Sequence, residues 1–325
     1  MRSLYRQFVE RLRGVAKRNA SPQEDQGADR LARLIEGSLK NPFSFEVDTV
    51  DACNLRCVHC PRGVHFQNNT SARMTPEFFN RMLDKMTEEC RCKGVDLYNW
   101  SEPFLHPELA QLVMAVQSRH ILCGLSSNLS LTNRARLEAV LRQSPNSLIV
   151  SVSGFTQEVH ERYHKGSNVE TVKDNLRFIA DFRKDSGLFV NVRIHCLQFV
   201  DNREDQVLWE QFCKEYGFVY HSLPACCSEV TTPETAGRLL DPPGFYTDAD
   251  GRVKVQMVFS ETPRFDPCPL HNTVPINARG DVYLCCIYWN RDEYRIGGFL
   301  DNSLASLQEK RFLHPHCSGC MVFRK

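Results

Sequence analysis

Between about residue 43 and residue 223 the chain alternates short β-rich runs with helical patterns, and no other feature constrains its fold as much. FSFEVDTV (43–50), GVDLYNW (94–100), ILCGLSS (121–127), SLIVSVS (147–153), LFVNVRIHC (188–196) and FVYHSL (218–223) read as strands. PEFFNRMLDKMTEEC (76–90), PELAQLVMAVQS (107–118), TNRARLEAVLR (132–142), NVETVKDNLRFIADFRK (168–184) and EDQVLWEQFCKEYG (204–217) read as helices between them. Pro76 suits a helix start, where its missing N–H is no loss, and Thr132 is placed to cap the third helix. Strand–helix–strand repeats of this kind need right-handed crossovers and give a parallel sheet. Periodicity alone does not separate an open sheet from a barrel. In barrels of this type the loops at the carboxyl ends of the strands carry the chemistry.

The flanks differ from this pattern. MRSLYRQFVERLRGVAKR (1–18) has six Lys or Arg against one acid, Glu10, with Leu4, Phe8, Leu12 and Val15 at helical spacing. It reads as a basic amphipathic helix, either packed on the main domain or docked to an acidic partner or membrane surface. NASPQEDQGAD (19–29) reads as a linker, so residues 1–42 form an appendage to a main domain at 43–224. Residues 225–267, rich in Pro, Gly and Thr, read as a connector. In 268–325, TVPINARGDVYLCC (273–286) reads as a hairpin with Gly280 in its turn, and SLASLQEKRF (303–312) as a short helix. A net charge of +1 gives no reason to expect nucleic acid. No apolar run approaches the roughly 18 residues of a membrane span, and no secretory signal is visible, so a cytoplasmic location is expected.

The chain has fifteen cysteines, and an odd number without a signal peptide argues against a disulfide framework. Clustered thiols in a reducing compartment are better explained as metal ligands. CNLRCVHC (53–60) puts three of them, Cys53, Cys57 and Cys60, directly after the first strand. Thiolates suit zinc or iron–sulfur clusters. A structural zinc site wants four ligands. His59 is the only further ligand type on the loop, and four side chains this close would be strained around one ion. In a four-iron cluster three thiolates leave one iron open to an outside ligand, which is a catalytic arrangement. Further on, Cys268, Cys285, Cys317 and Cys320 make a second set of four, with Gly280 permitting the turn that brings Cys268 and Cys285 together. A zinc knuckle is the plainer alternative for that set.

Cys-x3-Cys-x2-Cys after the first strand of a βα repeat resembles the radical S-adenosylmethionine (SAM) superfamily. Asn99-Trp100-Ser101-Glu102-Pro103 resembles a divergent form of that family's Gly-Gly-Glu-Pro motif, and SVSGFTQEVHERYHKG (151–166) its strand-to-helix segment. The Cys268–Cys320 spacing is similar to the twitch form of the SPASM extension. The resemblance implies a partial (β/α)6 TIM-like barrel followed by a small twitch domain of hairpin plus helix. It implies two [4Fe–4S] clusters, one on Cys53, Cys57 and Cys60 and one on Cys268, Cys285, Cys317 and Cys320. It also implies SAM as cofactor, held by Glu102 and the Asn99 segment, with Ser151 and Ser153 in the ribose-contacting region. An electron donor such as flavodoxin or ferredoxin is expected.

Bound SAM would yield a 5′-deoxyadenosyl radical that takes a hydrogen atom from an unactivated C–H bond. Three fates of the substrate radical remain open: oxidation through the second cluster, epimerisation through a cysteine thiol, and a peptide cross-link. Cys226, Cys227 and Cys286 belong to neither cluster and are candidate hydrogen donors or simply buried thiols. Asn191, Arg193 and His195 share one face of the fifth strand, turned to the barrel interior. Arg193 there can meet a substrate or SAM carboxylate, or a structural ion pair. Tyr163, His164 and Lys165 are within reach of SAM or substrate, or form a solvated loop. Only 42 residues precede the first strand, which favours a small polar, sugar- or aminocyclitol-like substrate over a leader-guided peptide. A non-catalytic metal-stabilised binding protein is the alternative from another class.

Overall fold

The computed structural model of the 325-residue chain describes residues 32–131, 133–225, 232–239, 244–247, 253–256, 268–288 and 292–318. The expected basic helix and linker, Thr132, Cys226, Cys227, Cys320 and most of the connector lie outside the described residues.

Residues 32–40 form helix α1. The strands are β1 (Phe43–Val47), β2 (Cys92–Asp96), β3 (Leu122–Ser127), β4 (Ser147–Val152), β5 (Asn191–Gln198) and β6 (Val219–Pro224). They pair in that order, all parallel. Between them run α2 (Pro61–Val64), α3 (Pro76–Glu89), α4 (Leu109–Gln117), α5 (Arg134–Leu141), α6 (Gln157–Tyr163), α7 (Val169–Ser186) and α8 (Arg203–Tyr216). Further on come α9 (Pro233–Ala236), a separate hairpin of β7 (Gly244–Thr247) and β8 (Val253–Gln256), then β9 (Thr273–Ile276), β10 (Asp281–Tyr283), β11 (Arg295–Gly298), α10 (Leu304–Leu313) and α11 (Pro315–Ser318).

The carboxyl-terminal strands continue the main sheet. β9 lies parallel to β1, and β10 and β11 follow antiparallel, giving nine strands with β11 and β6 at the edges. The sheet is therefore an unclosed α/β barrel. Gly280 turns the β9–β10 hairpin at φ +85°, and a Cβ there would stand 2.6 Å from the Phe78 ring. β11, α1, α9, α11, the β7–β8 pair and the short α2 have no counterpart among the expected elements, whereas α6 lies in the 151–166 strand-to-helix segment.

Helix boundaries follow local chemistry. The Thr75 hydroxyl accepts from Phe78 N at α3, and Asn168 accepts from Glu170 N and Thr171 N at α7. α7 ends at Gly187 in the left-handed region. Asn133 caps α5.

The two faces of the sheet have different jobs. Val95, Leu148, Val150, Val152, Val192, Ile194 and Cys196 are buried beneath the helices, with Phe79, Met82, Leu83, Leu112, Leu176 and Ile179 in the same core. The alternate residues Glu46, Asp96, Ser147, Ile149, Ser151, Asn191, Arg193 and His195 are only partly buried, on the inner face. They sit in register: Glu46 beside Asp96, Ile149 beside Arg193, and Ser151 beside His195.

β2 stops at Asp96, four residues short of the expected Trp100. The cause is Asp48. Its buried Oδ1 accepts from the backbone of Asn99 (3.0 Å), Trp100 (2.9 Å) and Ser101 (2.8 Å), and from the Ser101 hydroxyl (2.6 Å). Three successive N–H groups turned to one carboxylate are withdrawn from any strand ladder.

Candidate functional site

The loop after β1 is held from three sides. Asn69 clamps the Cys53 backbone, accepting from its N–H (3.3 Å) and donating to its carbonyl (2.9 Å). Arg56 N and Val58 N donate to the carbonyls of Lys165 and Tyr163, so the segment after β4 buttresses the loop. Arg62, on α2, is buried against Asp51 at 2.6 Å. Gly63 makes α2 fit: a Cβ there would stand 2.3 Å from Cys57 O and 2.5 Å from Cys57 N. Backbone atoms cannot yield as a flexible side chain would.

This frame brings Cys53, Cys57 and Cys60 close enough for the Cys57 thiol to feel both others. Burial pushes Cys53 up to about 12, with the Glu102 carboxylate adding to it, and raises Cys57 and Cys60 as well. Thiolates form here only against a cation that binds them. Among the described residues no three His, Cys, Asp or Glu side chains close on a single-ion site.

A buried histidine system stands behind the loop. His164 Nδ1 lies 3.6 Å from Cys57 Sγ, and its Nε2 lies 2.9 Å from Ser153 Oγ. Its ring stacks on His160 at 4.8 Å, and His160 reaches Ser167 at 3.0 Å. Burial lowers His164 well below the ordinary histidine range and His59 to about 4, so both are neutral. A neutral His164 can donate from Nδ1 to a Cys57 thiolate while accepting the Ser153 hydroxyl at Nε2.

The other expected site residues fall into three groups. Glu102 lies next to the triad and is 2% exposed. Its carboxylate accepts from Phe104 N (3.1 Å), Ser127 Oγ (2.9 Å) and Asn128 N (2.9 Å), and its own N–H donates to Ala52 O. That leaves about one of its four acceptor positions. Burial raises it to about 7. Asn99 is placed by its backbone bond to Asp48. Ser151 and Arg193 face the barrel interior, whereas Ser153 is wholly buried and its hydroxyl is engaged by His164. Arg193 acts electrostatically on Asp96 and Tyr98, and its Nε is buried with no hydrogen-bond partner. His195 packs edge-on against His221 at 5.4 Å. Glu46, bonded to the Cys286 thiol, is raised from 4.5 to about 7, chiefly by burial.

On the β9–β10 side, Cys268, Cys285 and Cys317 gather about Arg311 of α10, which feels all three and Cys286. His271 Nε2 lies 3.8 Å from Cys317 Sγ. The candidate donors Cys226 and Cys227 and the fourth thiol, Cys320, lie outside the described residues.

Asp48, His164 in its hydrogen-bonding role, and Arg311 were not singled out by the sequence in these positions. Asp48 had one available signal: it follows Ser44 and Glu46 at alternate positions, on the inner face.

Fold and loop together define an unclosed α/β barrel with a thiol-bearing loop at the carboxyl end of its first strand. Residues 47–206 match the family model described as Radical SAM superfamily, and the chain belongs to that superfamily. The fold is similar to that of SuiB from Streptococcus suis bound to the precursor peptide SuiA, with TM-score 0.62 and 12% identity over 95% of this chain and 74% of that one. It is also similar to anSMEcpe with bound AdoMet, with TM-score 0.60 and 15% identity over 86% of this chain and 83% of that one. No curated protein matches the sequence. The superfamily implies one [4Fe–4S] cluster and SAM, and the thiol-only donor set of the loop fits such a cluster. Among the described residues no helix is long and apolar enough to cross a membrane.

Proposed function

We propose that Cys53, Cys57 and Cys60 hold a [4Fe–4S] cluster with one open iron, and that the chain is a hydrogen-abstracting oxidoreductase acting on a polar substrate. The observation that carries this reading is three mutually close thiols at the mouth of a barrel whose inner wall is polar. When bound, the groups supply the hard chemistry: a radical from SAM that removes a hydrogen atom, and an electron sink at a second cluster on Cys268, Cys285, Cys317 and Cys320. The protein supplies placement. Glu102, with about one acceptor position left, would receive the SAM ammonium. Ser151 lies on the wall where the ribose would lie. Arg193, with an orphaned Nε, would meet a carboxylate of SAM or substrate. Glu46 and Asp96 would hold hydroxyl or amino groups of a small carbohydrate-like substrate.

A peptide substrate is the second reading. It is favoured by the similarity to SuiB, whose matched structure is bound to a precursor peptide. The test uses anaerobically reconstituted protein, dithionite and SAM. About eight irons per chain and release of 5′-deoxyadenosine are expected. One or two zinc ions and intact SAM would contradict the proposal. With a substrate in hand, oxidation consumes one SAM per carbonyl formed, whereas epimerisation carries solvent deuterium into the product.

A further inference from the structure

Arg311 is buried at 2% exposure, yet no carboxylate pairs with it among the described residues. Its NH1 donates to two neutral acceptors, His271 O at 2.6 Å and Gln308 Oε1 at 3.1 Å, and its Nε is buried with no partner. Guanidinium does not deprotonate in proteins, so this is a standing positive charge removed from water. Buried charges are retained only against an opposite charge. The ionisable groups that act on Arg311 are thiols: Cys285, Cys317, Cys286 and Cys268, in that order. As neutral thiols they cannot balance a guanidinium. As cluster ligands Cys268, Cys285 and Cys317 can, because with Cys320 as the fourth thiolate a [4Fe–4S] core carries a net negative charge in both redox states.

We infer that Arg311 is the built-in counter-charge of the second cluster and raises its reduction potential, so that this site accepts electrons. The inference rests on the proposed second cluster. Reduction adds one negative charge to the cluster, and a fixed cation beside it favours that form. The helix is placed for this role: Leu304 N at its start is fixed to Glu89 Oε2 at 2.6 Å, and Gln308 is tied to Ser38 Oγ at 2.6 Å and to His271 O at 2.7 Å. Arg311 touches no reacting atom in this scheme and is a positioning residue.

The test is made in full-length chain carrying Cys53→Ala, Cys57→Ala and Cys60→Ala, so that only the second site can load. About four irons per chain are expected. Their absence would overturn the second-cluster reading and this inference with it. With iron present, Arg311→Met is expected to lower the midpoint in an EPR-monitored redox titration. The reduction equilibrium should fall at least about tenfold, ~59 mV for one electron. Arg311→Lys, which keeps the charge, should restore most of it. An unchanged midpoint in loaded Arg311→Met overturns the inference while leaving the cluster reading intact. Should Arg311→Met not load, melting of the iron-free chains decides. A counter-charge role predicts that removing Arg311 does not lower the iron-free melting temperature, because its charge there is unbalanced. A clear lowering marks a structural role and overturns the inference.

Discussion

The two thiol sites lie on neighbouring strands of one sheet and are built on opposite electrostatic plans. Around Cys53, Cys57 and Cys60 the charges are negative or cancelled: Glu102 stands beside Cys53, Asp48 is buried nearby, and Arg62 is neutralised by Asp51. The direct contacts to the loop thiols include a neutral His164 at Cys57 Sγ and the uncharged Leu55 N–H and Asn128 amide at Cys53 Sγ. Around Cys268, Cys285 and Cys317 a bare guanidinium is buried. The first environment disfavours added electron density and the second favours it. Under the proposed function, a site that gives an electron to SAM and a site that takes one from a substrate would call for that difference. β1 and β9 run parallel, so the first site lies beyond the carboxyl end of this strand pair, while Cys268, before β9, and Cys285, after the antiparallel β10, lie toward its amino end.

The largest expected effect breaks the first site and spares the second. Gly63→Ala places a Cβ into the Cys57 backbone. Iron per chain should drop by about half, with 5′-deoxyadenosine formation lost and the second cluster's EPR signal kept. Retention of full iron and activity would show that the loop is not packed as described. Next is Asp48→Ala, which orphans the N–H groups of Asn99, Trp100 and Ser101. A loss of about 3 kcal/mol in denaturant unfolding is expected. SAM binding should weaken while the second cluster's midpoint stays fixed.

The smallest effect concerns Glu46, whose carboxyl feels Asp48 on one side and Cys285 on the other. Its folded-state value is raised from 4.5 to about 7, so the native chain holds a proton that the unfolded chain has released. Stability of the iron-free protein therefore falls as pH rises through that window and is level below it and above it. The cost at pH 8 is at most about 3 kcal/mol. Glu46→Gln should flatten the pH dependence of the melting temperature between pH 4.5 and 7. An unchanged slope would mean that Glu46 is ionised throughout.

Much of the fold was legible because its signals are local. Strand and helix periods located β1 to β6 and the main helices between them, and Cys-x3-Cys-x2-Cys located the loop. What was not legible depends on partners distant in sequence. The early end of β2 requires Asp48, about fifty positions earlier, and nothing in GVDLYNW announces it. Ser153 was expected near the ribose, but its pairing with His164 follows from the turn at Gly154 and the placing of α6. Arg311 has the sequence signature of a solvated helix end. Only the packing of α10 against β11 and the His271 segment shows it to be buried. The continuity of the carboxyl-terminal strands with β1 was hidden for the same reason: a parallel pairing between residues 44 and 273 leaves no local trace.

The most direct measurement is EPR of the reduced chain in which Cys268→Ala, Cys285→Ala and Cys317→Ala leave only the first site. About four irons per chain are expected, and added SAM should shift the spectrum by binding the open iron. A loaded cluster whose spectrum is indifferent to SAM would contradict the central claim.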